Sequence, residues 1–144
     1  MKFWDTSAIV PLCVAEPSTA AVKSIHSKDS SIVVWWATRT ECVSAFTRQR
    51  RESSLNMQSE RQARHLLGLL AATWSGVQPS DMLRATAERL LAAHPPRAAD
   101  ALQLAAALFW CQRQTAHREL VTFDIRLLEA GRREGFRAIP GERG

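Results

Sequence analysis

The chain has 144 residues, 46% hydrophobic and 23% charged, with a formal net charge of +5. That length supports one domain (1–144) with a core that needs no disulfide or structural metal, and that composition excludes general disorder. No apolar run reaches the ~18–20 residues of a membrane span and no signal-peptide pattern opens the chain, so a cytoplasmic protein with no membrane partner is expected. The positive charge suits an anionic partner such as nucleic acid without identifying one.

In chain order, Phe3-Trp4 reads as a short strand, residues 8–14 as a helix, and Pro17-Ser18 as the opening of a second helix to about His26. Residues 31–36 are a continuous apolar, β-favouring run, the pattern of a strand covered on both faces. Helices are predicted over 37–51 and 56–74, the second with Leu66, Leu69, Leu70 and Thr73 at helical spacing. A very short strand at 76–78 precedes Pro79, and Ser80 caps a helix that Pro95-Pro96 stops after His94. An Ala- and Leu-rich helix spans 97–114. A strand at 119–123, a helix at 125–134 and a last strand at 136–139 after Gly135 complete the chain. Strands separated by helices imply an α/β fold with a central parallel sheet and helices on both faces. Cys13, Cys42 and Cys111 are odd in number, widely spaced and set in apolar stretches, which reads as buried free thiols in a reducing compartment.

In open parallel sheets, ligands bind in the crevice at the carboxyl ends of the strands. Asp5 ends the first predicted strand, Asp124 follows the strand at 119–123, and Glu41 stands a few residues beyond Trp35-Trp36. Each of these acids has two readings, a favourable charge at a helix N-terminus or one wall of a site. Asp100 adds a third consideration. Leu104, Ala107, Leu108 and Cys111 share its helix face, so it projects along an inward stripe where a carboxylate needs a counter-charge. The four histidines lack paired spacing and the cysteines form no C-x-x-C, which excludes the usual zinc patterns. Clustered carboxylate oxygens suit Mg²⁺ or Mn²⁺, and such ions favour phosphodiester hydrolysis.

The phrases Asp5-Thr6-Ser7, Glu41 after the second strand, Arg97-x-x-Asp100-Ala101-Leu102-x-Leu104-Ala105, and Thr122-Phe123-Asp124-x-Arg126-Leu127 followed by Gly135 resemble the PIN-domain nucleases. In size and motif spacing the chain is similar to the VapC toxins of bacterial toxin–antitoxin pairs, from Lys2 to about Ile139. The resemblance implies a PIN-like three-layer fold and a Mg²⁺- or Mn²⁺-dependent endoribonuclease acting on tRNA or rRNA. It also implies a homodimer silenced by a cognate VapB-type antitoxin. By position, Asp5, Glu41, Asp100 and Asp124 would hold the metal, with Ser7 and Thr122 supporting them through their hydroxyls.

Arg48, Arg50 and Arg51 either complement a helix C-terminus or contact RNA phosphate, helped by Arg97, Arg132 and Arg133, and Arg97 is the preferred RNA contact of the group because it lies one turn from Asp100. Trp4, Trp35 and Trp36 either stack on bases or fill the core, the core claiming at least two. Thr6 has no assigned role. Two rival functions stand beside the nuclease. One is a phosphatase with Asp5 as nucleophile, although the haloacid-dehalogenase pattern wants a second Asp where Ser7 stands. The other is a catalytically silent partner of an antitoxin or operator complex.

Overall fold

A computed structural model describes residues 1–140. Its elements are β1 (Lys2–Trp4), α1 (Thr6–Cys13), α2 (Thr19–Lys28), β2 (Ile32–Trp35), α3 (Thr38–Arg51), α4 (Met57–Ala71), β3 (Ser75–Val77), α5 (Asp81–Ala93), α6 (Ala98–Trp110), β4 (Glu119–Val121), α7 (Ile125–Arg133) and β5 (Arg137–Ile139). The strands lie in the order β3-β2-β1-β4-β5, and every pairing is parallel.

Successive side chains of a strand point to opposite faces, and this sheet uses the alternation to feed two cores. Phe3, Val33, Trp35 and Leu120 pack with Leu83 and Leu90 of α5, Leu104 and Leu108 of α6, and Leu127 of α7. Trp4, Ile32, Val34 and Val121 pack with Ile9 of α1, Val22 of α2, Phe46 of α3 and Leu67 of α4. The neighbours Phe3 and Trp4 are both 0% exposed, which requires helices on both faces and gives the three layers. Each large side chain so buried contributes about 1.5–3 kcal/mol. Cys13, Cys42 and Cys111 are free and buried.

Several boundaries differ from the sequence reading, each for a local reason. The first helix begins at Thr6, because Ala8 and Ile9 already donate to the Asp5 carbonyl at 3.0 and 3.2 Å. The second helix runs two residues past His26, to Lys28. Ser31 and Trp36 lie outside β2, and Trp36 is 59% exposed where Trp35 is buried. The third strand is shifted by one residue to Ser75–Val77. Helix α4 stops at Ala71 rather than near Trp74, because Thr73 and Trp74 both donate back to the Leu70 carbonyl. Helix α6 ends at Trp110 instead of Gln114. Gln112 and Arg113 adopt φ of 52° and 64°, and the Arg113 N–H closes on the Leu108 carbonyl at 2.8 Å. That is a left-handed helix ending made without the glycine that normally signals it.

The chain starts at the centre of the sheet, steps outward through β2 and β3, then returns to lay β4 on the other side of β1. Strand order therefore reverses between β1 and β4, and such a switch point opens a crevice at the carboxyl ends of the two strands. Asp5 and Asp124 follow those two strands.

Candidate active site

Asp5, Glu41, Asp100 and Asp124 line one cleft of about 400 Å³. They arrive from four separate places: the end of β1, the first turn of α3, the first turn of α6, and the link from β4 into α7. Among the described residues none of the four is ion-paired with a lysine or arginine.

Asp5 occupies the N-cap position of α1, yet its side chain makes no cap bond. Asn56, Ser80 and Asp124, at the same position of their helices, accept backbone N–H bonds at 2.8, 3.1 and 3.1 Å. The Asp5 Oδ1 accepts instead from the Ser7 hydroxyl at 2.7 Å. Ser7 Oγ also accepts from the Phe123 N–H at 2.9 Å and lies 3.4 Å from Thr122 Oγ1, which accepts from the Asp124 N–H at 3.0 Å. Ser7 and Thr122 thus tie the end of β1 to the end of β4, with an acid on each side. Asp5 is only 4% exposed. Burial pushes its carboxyl from 3.8 up to about 7, against the lowering effect of the Ser7 and Thr122 hydrogen bonds, and the charge of Asp124 adds to the rise.

Glu41 is half-buried and also raised, first by burial, with the Gln103 and Thr6 hydrogen bonds opposing and the charge of Asp100 assisting. Asp100 is raised by burial and then by Asp124, while the Arg97 N–H bond and the charges of Arg97 and Arg126 pull the other way. The apolar stripe that shares its helix face is buried, and Asp100 sits at the cleft end of it. Both readings of Asp100 apply, because its Oδ2 also accepts from the Arg97 N–H at 3.3 Å. Asp124 likewise caps α7 and lines the cleft.

The arginines separate. Arg48 lines the cleft with Gln49, whereas Arg51 and Arg97 are exposed and stand outside its lining. Arg50 is held by Glu60 of α4 at 3.3 Å, which removes it from the group. Of the tryptophans, Trp4 and Trp35 are core and Trp36 is exposed.

Among the cleft members that sequence reasoning missed, two stand out by their hydrogen bonds. Glu16 lines it and accepts from Gln49 Nε2 at 3.0 Å; in the sequence it is an acid in a Pro-containing loop, with no pattern to single it out. Gln103, 2% exposed, reaches from α6 to Thr6, Thr38 and Glu41. Its signal was present, since it is the one uncharged polar residue in a helix that is apolar nearly all round and therefore buried.

The donor set fits a hard divalent cation: carboxylate oxygens, with no lysine or arginine in direct ion-pair contact with any of the four among the described residues. Among the described residues no three of the acids gather into a ready ligand set. Mg²⁺ does not require one, because it keeps several waters and binds through one or two carboxylates.

No family model and no curated protein matches the chain. Among solved structures it is similar to Mycobacterium tuberculosis VapC20, described as a sarcin-ricin loop cleaving toxin. The TM-score is 0.66 at 16% identity, over 91% of this chain and 95% of that one. With that toxin the chain shares a PIN-like α/β fold.

Proposed function

We propose that the chain is a Mg²⁺- or Mn²⁺-dependent endoribonuclease, the toxin of a toxin–antitoxin pair, acting on a structured RNA such as rRNA or tRNA. The observation that carries this reading is the convergence of four carboxylates on one cleft at the switch point of the sheet, none paired with a described cation. The likeness in fold to a toxin that cleaves the sarcin-ricin loop supports it.

In this reading Asp5, Glu41, Asp100 and Asp124 hold the metal. A divalent ion so held supplies an activated water and steadies the charge that builds on the phosphodiester in transit. The chain's own part is to keep the acids in place, while a bound cation would favour the charged forms that burial disfavours. Ser7 anchors Asp5, Gln103 and Thr6 anchor Glu41, and backbone N–H groups orient Asp100 and Asp124. Arg48, at the cleft wall, meets the phosphate backbone. A VapB-type antitoxin silences the site and two copies form the working unit. The phosphatase reading gains nothing from the cleft, where Ser7 stands in place of a second acid. Among the described residues no helix is long and apolar enough to cross a membrane.

The test is cleavage of a structured rRNA fragment and of tRNA by the purified chain, with Mg²⁺, with Mn²⁺ and with chelator. Discrete fragments are expected with either metal, and none with chelator or with Asp100→Asn. Undiminished cleavage by Asp100→Asn, with contaminating ribonuclease excluded, would overturn the proposal.

A further inference from the structure

Gln103 is a fully enclosed amide among oxygens. Its Nε2 lies 3.0 Å from Thr38 Oγ1, 3.1 Å from Thr6 Oγ1, and 3.1 and 3.2 Å from the two oxygens of Glu41. Its Oε1 is buried without any hydrogen-bond partner. A polar residue kept only for packing would have both ends satisfied, because an orphaned buried carbonyl is costly. This amide leaves one end unsatisfied and commits the other to an acid. The reverse orientation would set its carbonyl against the Glu41 carboxylate, oxygen facing oxygen. Glu41 therefore fixes which way the amide points.

The converse constraint matters more for function. A carboxylate offers about four lone-pair sites. Three contacts from the chain reach those of Glu41: Gln103 to each oxygen, and Thr6 Oγ1 to Oε2 at 3.4 Å. The Gln103 amide has only two N–H groups to share among four oxygens, so the chain's donors leave part of the carboxylate's accepting capacity open. Gln103 comes from α6, three residues after Asp100, so one helix carries one acid and orients another that belongs to α3.

From this geometry we infer that Gln103 is a positioning residue, holding the Glu41 carboxylate so that an incoming divalent cation meets it in one fixed orientation. The assignment rests on the reading of the cleft as a divalent-metal site. Partners that orient metal ligands typically cost about 10–100-fold in metal affinity when they are removed.

The test uses the full chain and Mn²⁺ alone, with the free Mn²⁺ signal titrated by electron paramagnetic resonance and folding followed by circular dichroism. Gln103→Met keeps the length and removes the donor. Gln103→Asn keeps the amide but withdraws it from reach. Either is expected to weaken Mn²⁺ binding about 10–100-fold, and Gln103→Met added to Glu41→Gln is expected to weaken it no further than Glu41→Gln alone. That lack of additivity is what a merely structural residue would not give. Wild-type affinity in both Gln103 variants overturns the assignment and leaves the metal reading standing. So does a fully additive loss in the double variant, or failure of both variants to fold. No Mn²⁺ binding by the wild-type chain overturns the metal reading, and the assignment with it.

Discussion

Asp5→Asn is expected to make the metal-free protein more stable while abolishing cleavage, and the size of the gain can be worked out. Burial moves the Asp5 carboxyl from 3.8 to about 7, roughly three tenfold steps at about 1.4 kcal/mol each. Above pH 7 the ionised form therefore costs the folded chain about 4 kcal/mol. Asparagine is neutral and its Oδ1 still accepts from Ser7. An unpaired amide N–H would return about 1–2 kcal/mol of that gain, which leaves a net of about 2–3 kcal/mol, or about 10 °C in melting temperature for a domain of this size.

The sign with pH follows from proton binding. The folded state holds its proton more tightly than the unfolded one, so wild-type stability falls as pH rises from about 4 to about 7. The advantage of Asp5→Asn should be fully developed at pH 8 and gone near pH 4. Thermal melts of both proteins in chelator, at pH 4, 6 and 8, measure it. Glu41 and Asp100 titrate in both proteins, so the difference between them isolates Asp5. An Asp5→Asn melt at pH 8 no higher than wild type, or a gap that does not close on acidification, would refute the reasoning. Cleavage in Mg²⁺ should drop at least about 100-fold, since an oxygen ligand is lost.

The hydroxyl link and the cationic wall give two further expectations. Ser7→Ala breaks the bonds to Asp5 and to the Phe123 N–H; a loss of about 1–3 kcal/mol in chemical denaturation and of about 10–100-fold in cleavage rate is expected, and unchanged cleavage would remove Ser7 from the site. Arg48→Ala should weaken RNA binding and lower its salt dependence by about one counterion, measured by fluorescence anisotropy with Asp100→Asn as background. Arg51→Ala, outside the cleft, should leave that slope unchanged.

The alternation of element types was legible because the central strands are short apolar runs and the helices between them carry apolar residues at helical spacing. Ser80 was read as a cap and is one. The positions of Asp5 and Asp124 at a crevice follow from the general behaviour of parallel sheets. That crevice lies between β1 and β4 because strand order reverses there, and no local pattern encodes strand order. The end of α6 was illegible for another reason: Gln112 and Arg113 take left-handed backbone without glycine, with their N–H groups bonded back to the Phe109 and Leu108 carbonyls and the Arg113 guanidinium reaching Thr86. Gln103 was legible in principle, as a polar interruption in a buried helix. Its partners, Thr6, Thr38 and Glu41, are 62 to 97 residues away, which no periodicity reveals.

The order of the strands also has a consequence for synthesis. A chain growing from its N-terminus delivers the acids as 5, 41, 100 and 124, and β1 is laid down first, with Asp5 at its tip. Its partner on one side, β2, follows within about thirty residues. The edge that later pairs with β4 stays open until more than a hundred residues have been made. Throughout that interval the nascent chain carries an incomplete set of acids beside an unpaired strand, so the cleft cannot be assembled before β4 and Asp124 have been made.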